Sequence, residues 1–210
     1  MESNYFIPES YKINEKPLHY IDLYMQDQYQ KEVYIYANQI CKKYNLNKVI
    51  DVGCGNAFKL MKYLKEYDTI GIECEPCFSF LKQSYPDRKW FLSGEAEKSF
   101  TQDKYEADLT ICSDVIEHII DPDDLIKFLL SIDTKYYIIS TPCRYVLNNS
   151  NLYKESRKNN INGPPVNPCH VREWTSNEFR KYMEKYFTVE EFYYGLEQIE
   201  CQYYLLTKKD

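Results

Sequence analysis

A short segment, residues 49–56, constrains the fold of this chain more than any other. Its sequence is Val-Ile-Asp-Val-Gly-Cys-Gly-Asn, and the branched apolar residues around Asp51 predict a buried β-strand. Gly53 and Gly55 place no side chain where this strand must turn sharply, so a ligand can approach the backbone. Residues 57–64 then carry apolar side chains at helical spacing. A strand-to-helix turn with free amide groups predicts a ligand-binding loop.

A second apolar run extends this pattern. Residues 69–73 are Thr-Ile-Gly-Ile-Glu and end in Glu73, eighteen positions after Gly55. In strand–helix–strand nucleotide sites, an acid at about this distance accepts hydrogen bonds from ribose hydroxyls. A dinucleotide site would prefer a third glycine three residues after Gly55, where this chain has Phe58. The remaining alternative is a tight turn in an unrelated α/β protein.

The combined pattern resembles that of the class I S-adenosylmethionine (SAM)-dependent methyltransferases, whose first strand and loop contain an acid followed by Gly-x-Gly. The resemblance implies that the acid and the glycine backbone hold the methionine end of SAM, and that Glu73 holds its ribose. It also implies that the loop after a third strand meets the adenine ring. The implied cofactor residues are Asp51, Gly53, Cys54, Gly55, Glu73, Glu95, Ala96 and Ser113.

Length and composition limit the alternatives. The 210 residues fit one domain with at most a short appended segment. The 26 basic and 32 acidic residues give a formal net charge of −6, which weakens the case for a large nucleic-acid surface. Several of the eight cysteines lie in or beside apolar runs, and no signal peptide is evident, so we expect reduced thiols in a cytoplasmic protein. The single CxxC lacks the second pair of a structural zinc site, and no apolar stretch approaches the length of a membrane span.

The order of predicted elements indicates the fold. Residues 1–26 are expected to form an irregular N-terminal arm or lid, and residues 27–210 a methyltransferase domain. Strands are predicted at 49–52, 69–73, 90–92, 107–112 and 136–140, with closing segments at 187–189, 192–194 and 202–206. Helices are predicted at 27–44, 57–64, 77–85, about 121–130 and 175–186. This alternation, with the family resemblance, predicts an α/β fold: a Rossmann-like, mostly parallel seven-stranded sheet with helices on both faces and a C-terminal antiparallel hairpin.

The composition changes abruptly at about residues 143–170, where Asn, Lys, Ser, Gly and Pro dominate. A loop of this length is uncommon without a task, so we expect a substrate-facing insertion. Lys154, Arg157 and Lys158 form a small basic cluster suited to a phosphate or diphosphate, although an ordinary solvated loop is nearly as well supported. The candidate substrate-binding residues are Lys154, Arg157 and Arg172.

Two patches could carry the chemistry. Asp114, Glu117 and His118 follow the fourth predicted strand, and His170 follows the insertion. A histidine among charged groups can exchange protons near neutral pH, so His118 or His170 could remove the proton of an acceptor hydroxyl. Either could instead be a buried structural histidine. The catalytic candidates are His118, His170 and Asp114.

The same residues support a second chemistry. Asp114, Glu117, His118 and His170 offer oxygen and nitrogen ligands for Mg²⁺ or Mn²⁺, and such a metal could chelate a vicinal diol. The arrangement is similar to that of the small-RNA 3′-terminal 2′-O-methyltransferases, where a Glu-x-x-Glu-His block and a later histidine hold the metal. This chain departs from that pattern at Asp114 and has no evident RNA-binding domain. Its Asp-Val-Ile-Glu-His block followed by Asp-Pro also resembles small-molecule and sugar methyltransferases.

These observations lead to a SAM-dependent methyltransferase as the expected function. The first-ranked acceptor is a hydroxyl on a sugar, nucleotide-sugar or other small polar molecule, because the insertion is polar and partly basic. The second is the 3′ end of RNA, methylated with a metal ion. A SAM-binding protein without turnover is the third alternative. Homo-oligomerisation remains open, and no membrane partner is expected.

Overall fold

The computed structural model describes residues 5–93, 104–149, 161–195 and 201–209. Four predicted site residues, Glu95, Ala96, Lys154 and Arg157, therefore lie outside the described residues, as does Lys158. In the described part of the chain, no helix combines the length and apolarity needed to cross a membrane.

The described chain alternates helices and strands. The strands are β1 (Lys48–Val52), β2 (Asp68–Glu73), β3 (Lys89–Leu92), β4 (Leu109–Ser113), β5 (Tyr136–Pro142), β6 (Phe187–Tyr194) and β7 (Cys201–Lys208). The helices are α1 (Lys31–Tyr44), α2 (Phe58–Tyr63), α3 (Cys77–Ser84), α4 (Pro122–Ser131), α5 (Arg144–Asn149) and α6 (Ser176–Tyr186), with a short 3₁₀ turn at Ile116–His118.

The seven strands form one sheet in the order β3-β2-β1-β4-β5-β7-β6. β1 to β5 pair in parallel, whereas β7 pairs antiparallel with both β5 and β6. The predicted Rossmann-like sheet with a C-terminal antiparallel hairpin is thus confirmed. The strand order reverses between β1 and β4, and ligands of such open sheets bind outside the carboxyl ends of the strands at this point.

Helices cover both faces of the sheet, because the central strands carry apolar side chains on both faces. One buried cluster contains Leu125 and Leu129 of α4 together with Phe179 and Met183 of α6. The other contains residues of α1, α2 and α3, among them Ile40, and packs on the opposite face. The central strands consequently carry no solvent-facing side, which agrees with their near-continuous apolar sequence.

Three details differ from the sequence prediction. The first helix begins at Lys31 and not at residue 27, because Gln30 adopts a left-handed backbone conformation with φ 61° that ends helical geometry. The segment at 143–170 is not wholly irregular, since α5 begins directly after β5. The two closing segments at 187–189 and 192–194 form a single strand, β6, whose register shifts between Val189 and Glu191.

Candidate functional site

The loop after β1 has the geometry that its glycines suggest. Gly53 and Gly55 have φ values of 75° and 55°, in the left-handed region that side chains disfavour. A Cβ atom on Gly53 would lie 2.3 Å from Cγ2 of Val115, which follows β4. The loop therefore packs directly against the residues after β4, and only glycine permits this approach.

Asp51 lies inside the protein, one residue before the end of β1. Its side chain is fully buried, Oδ2 accepts a 2.8 Å hydrogen bond from the Tyr34 hydroxyl, and Oδ1 has no partner. Burial raises the pKa of Asp51 to about 7. A buried carboxylate oxygen without a partner is costly, so this atom is suited to a donor supplied by a ligand. Tyr34 itself was not among the sequence-predicted residues, because nothing in the helical pattern marks its hydroxyl.

Glu73 lies at the end of β2, next to Asp51. Its pKa is raised to about 8, first by burial and then by the Asp51 carboxylate. The described side-chain partner of Glu73 is the Cys74 thiol, at a donor–acceptor distance of 3.9 Å. Asp22 adds a third acid, since its charge also raises the pKa of Glu73. Three clustered acids fit a ligand that carries positive charge and hydroxyl donors, as SAM does.

The N-terminal arm covers this loop. The Asn56 amide donates to the carbonyl of Met25 at 2.8 Å, and the Lys59 ammonium donates to the carbonyl of Gln26 at 3.2 Å. A Cβ atom on Gly55 would lie 2.7 Å from Oδ2 of Asp22. The arm had been expected from composition, but Asp22 carries no local sequence signal that identifies it as part of the site.

A second cluster forms beyond β4. Glu117, His118 and His170 each offer one ligand atom, and these three atoms lie within 4.8 Å of one another. Oε2 of Glu117 accepts a 3.0 Å hydrogen bond from the Thr141 hydroxyl, whereas its buried Oε1 has no partner. Burial, and then the nearby Asp114, raises the pKa of Glu117. An unpartnered buried carboxylate oxygen beside two imidazoles is a donor set that fits a divalent metal.

Hydrogen bonds fix both imidazoles of this cluster. Nδ1 of His118 donates to the carbonyl of Cys169 at 2.8 Å, which leaves Nε2 as the unprotonated nitrogen. Nδ1 of His170 donates to Oε1 of Glu173 at 2.8 Å, and its Nε2 accepts from the Asn167 amide at 2.9 Å. Burial lowers the pKa of His118 to about 3. Such outer contacts hold metal-binding histidines neutral and oriented.

Asp114 lies beside this cluster, but its carboxylate has other hydrogen-bond partners. Its backbone is left-handed, with φ 53°, and its Oδ1 accepts a 2.6 Å hydrogen bond from the Ser140 hydroxyl. Ser113 is buried and shares a 2.8 Å hydrogen bond with the same Ser140 hydroxyl. Of the four predicted metal-binding residues, Glu117, His118 and His170 form the cluster, and Asp114 lies beside it with Oδ1 bonded to Ser140.

Arg172, a predicted substrate-binding residue, has structural contacts in the described chain. Its side chain is buried, and its guanidinium donates to the carbonyls of Ile119 and Ile120 at 3.0 and 2.6 Å. The guanidinium also lies 4.8 Å from the centre of the Tyr5 ring. Arg172 thus stabilises the loop after the 3₁₀ turn, and its role in binding the substrate stays a prediction. The basic charge pattern in the sequence could not distinguish these roles.

Comparison with known proteins concerns the fold. No protein-family model matches the sequence, and no curated protein matches it significantly. The PH0226 protein from Pyrococcus horikoshii OT3 has a similar structure, with a TM-score of 0.66 and 17% identity over 90% of this chain and 95% of that one. An S-adenosylmethionine-dependent methyltransferase from Clostridium acetobutylicum ATCC 824 gives a TM-score of 0.60 and 17% identity over 87% and 93% of the two chains.

A third similar structure is that of the small RNA methyltransferase HEN1, with a TM-score of 0.64 and 21% identity. The match covers 92% of this chain but 27% of HEN1, which is much longer. At these identities the likeness concerns the fold and not the acceptor. Sheet order, glycine loop and similar structures together show that this chain has the fold of the class I SAM-dependent methyltransferases.

Proposed function

We propose that this protein is a SAM-dependent methyltransferase that methylates a hydroxyl of a vicinal diol. The support for the cofactor is the pair of buried acids beside the glycine loop, at the switch point of the sheet. Asp51 has a buried carboxylate oxygen without a partner, and Glu73 makes one long contact with a thiol. In this proposal Asp51 binds the methionine end of SAM and Glu73 accepts hydrogen bonds from its ribose. The left-handed Gly53 lets the backbone approach the cofactor.

The single observation that carries the acceptor chemistry is the unpartnered Oε1 of Glu117 beside His118 and His170. One carboxylate and two imidazoles suit Mn²⁺ better than Mg²⁺, which prefers oxygen ligands. A metal held there would chelate two neighbouring hydroxyls and lower their pKa. His118 and His170 would serve as neutral ligands, because Cys169 and Glu173 already occupy their Nδ1 protons. A histidine acting directly as a base, without a metal, is the alternative role.

A sugar or nucleotide-linked sugar is the first acceptor class that we propose. The net charge of −6 argues against an acceptor that is bound chiefly through many phosphates. The 3′ end of RNA is the second candidate, favoured by the Glu-His-His cluster and by the structural likeness to the small RNA methyltransferase HEN1. Both classes present a vicinal diol, so the same cluster serves either one.

The test has two parts. Mn²⁺ and Mg²⁺ are titrated calorimetrically into the protein saturated with S-adenosylhomocysteine (SAH), comparing the native chain with His170→Ala. Glu184→Ala is the control variant, because Glu184 pairs with Arg180 on the exposed face of α6. We expect saturable Mn²⁺ binding that His170→Ala abolishes and Glu184→Ala retains. No binding in the native chain would exclude the metal-assisted reaction and leave the histidine base.

Methyl transfer is then measured from SAM to monosaccharides, nucleotide-sugars and short RNAs with free 3′ diols. Transfer to RNA ends alone would overturn the first acceptor class in favour of the second. SAH binding with no transfer to any diol, unaffected by His118→Ala or His170→Ala, would indicate a SAM-binding protein without turnover.

A further inference from the structure

A groove lined by tyrosines lies between α1 and the β6–β7 hairpin. Its volume is ≈ 260 Å³, and we call it the tyrosine groove. Pockets for drug-sized ligands span about 300–1,000 Å³, so this groove has room for a single ring system. Its lining residues are Lys31, Ile35, Tyr36, Gln39, Tyr193 and Tyr203, with Glu32.

Three aromatic rings form a fixed platform in this groove. The Tyr193 and Tyr203 rings stack at a centroid distance of 5.5 Å and an interplanar angle of 25°. The Tyr36 ring lies 5.1 Å from Tyr193 and 5.5 Å from Tyr203. Tyr36 and Tyr203 are buried, but Tyr193 is 41% exposed. The hydroxyls of Tyr36 and Tyr193 both donate to Oε2 of Glu191 at 2.7 Å, which holds the exposed ring in place.

The platform adjoins the candidate site. Tyr203 pairs with Ser140 across β5 and β7, and the Ser140 hydroxyl donates to Asp114. Cys201 lies two residues before Tyr203 on the same side of β7, and its thiol donates to Oδ1 of Asp114 at 3.8 Å. On the α1 side of the groove, Gln30 directly precedes Lys31, and its side chain hydrogen-bonds to Asp114. The groove therefore starts one layer of side chains away from Asp114, at the carboxyl edge of the sheet.

We infer that the tyrosine groove binds the nucleobase of a ribonucleotide acceptor. This inference rests on the proposed methylation of a vicinal diol and adds that the diol belongs to a molecule with a base attached. A base stacks on an exposed tyrosine face without needing a cation, which suits a protein of net charge −6. A plain sugar has no planar ring to place on Tyr193, so the groove separates nucleotide acceptors from free monosaccharides.

The test compares two probes on the protein saturated with SAH, so that the adenosine of the cofactor product fills its own site. Uridine 5′-monophosphate and ribose 5-phosphate share the phosphate and the diol, and differ in the base. We expect the nucleotide to bind about 5- to 150-fold more tightly in a calorimetric titration, the change that about 1–3 kcal/mol of stacking produces. Tyr193→Ala should abolish this preference, and Tyr193→Phe should retain it.

Tyr44→Ala is the matched control, because Tyr44 is 38% exposed and stacks on Tyr136 at 4.8 Å, in contact with no residue of the groove described here. Equal affinity for the two probes in the native chain, or a preference that survives Tyr193→Ala, would overturn the inference. Displacement of uridine 5′-monophosphate by UDP-glucose or by a short oligoribonucleotide then identifies the source of the base. The preference for uridine 5′-monophosphate over ribose 5-phosphate is measured by binding and does not require methyl transfer. Its absence would therefore overturn the inference about the tyrosine groove, whereas a failure to methylate any diol would overturn the proposed function.

Discussion

The two halves of the candidate site are built in opposite ways. The proposed cofactor half, around Asp51 and Glu73, comes from consecutive strands and one glycine loop. Burial raises the pKa of both acids, and the Asp51 carboxylate raises that of Glu73 further. The histidine half joins Glu117 and His118 to the distant His170, and hydrogen bonds fix the orientation of each imidazole.

This difference indicates how each half meets its ligand. The cofactor half contains carboxylates with unused acceptor capacity, so a ligand with donors and positive charge relieves an existing cost. The histidine half has oriented nitrogens around a single unpartnered oxygen, so it fits a small cation. We therefore expect substitutions to affect SAH in one half and Mn²⁺ in the other.

Glu117→Gln should give the largest difference between the change in Mn²⁺ affinity and the change in SAH affinity. The substitution removes the ionised ligand but keeps an acceptor for the Thr141 hydroxyl. We expect Mn²⁺ affinity to fall by at least about 100-fold. Loss of a residue that only hydrogen-bonds to a metal ligand typically lowers metal affinity by about 10- to 100-fold, and Glu117 would be a ligand itself. SAH affinity should stay within about twofold, since independent sites behave additively. Calorimetric titration of each ligand measures both, and an equal loss of SAH would show that the halves are coupled.

Glu173→Gln tests orientation without removing a ligand. Its carboxylate holds Nδ1 of His170 at 2.8 Å, and we expect a loss of about 10- to 100-fold in Mn²⁺ affinity. Glu184→Gln is the control, since Glu184 pairs with Arg180 on the exposed face of α6. If both substitutions leave Mn²⁺ affinity unchanged, the orientation of His170 does not depend on Glu173.

Glu73→Gln should have the opposite effect to Glu117→Gln: it should weaken SAH binding and leave Mn²⁺ binding unchanged. A hydrogen bond to a charged group contributes about 1.5–3 kcal/mol, so we expect SAH affinity to fall about 10- to 150-fold while Mn²⁺ affinity is retained. The control is Glu75→Gln, because Glu75 accepts hydrogen bonds from Ser79 at the start of α3. Similar losses in both variants would point to a disturbed loop and not to a ribose contact.

The raised pKa values give the cofactor half a pH dependence. In the unliganded protein Glu73 keeps its proton up to about pH 8 and Asp51 up to about pH 7, whereas both ionise near pH 4 when unfolded. Folding stability without ligand therefore falls as pH rises from about 4 to 8. Ligand hydroxyls favour the ionised Glu73, so SAH affinity should rise about five- to tenfold between pH 7 and 8.5.

Thermal unfolding and calorimetric titration across this pH range measure both effects. The groups around Glu73 that also carry titratable protons are Asp51, Asp22 and Cys74. Glu73→Gln should remove most of the dependence above pH 7, because Asp51 titrates lower. If SAH affinity and thermal stability in Glu73→Gln depended on pH as in the native chain, the group that titrates above pH 7 would not be Glu73.

The smallest effect concerns Asn167. Its amide donates to Nε2 of His170 at 2.9 Å, so a metal must displace this hydrogen bond to use that nitrogen. A typical hydrogen bond contributes about 0.5–1.5 kcal/mol, and Asn167→Ala should therefore raise Mn²⁺ affinity about 2- to 10-fold. A loss of affinity would instead mean that Asn167 positions the cluster, through its 3.0 Å contact with the Cys169 amide.

How far the sequence predicts the site depends on how local each part is. Asp51, Gly53 and Glu73 are predicted as cofactor residues because strand, turn and strand follow one another, and the backbone angles of the loop are a property of the glycines themselves. Asp22 and Tyr34 were missed, since their contacts with this loop depend on how the arm and α1 pack over it.

The sequence by itself, with the family resemblance that it carries, determined the sheet, because its alternating strands and helices leave few arrangements that bury all the apolar runs. It also determined which residue types meet at the carboxyl edge. Only the tertiary structure decided that Glu117, His118 and His170 converge while Asp114 turns to Ser140 and Arg172 is buried. The physical reason is that side-chain direction after a strand depends on long-range packing and hydrogen bonding, which no local periodicity records.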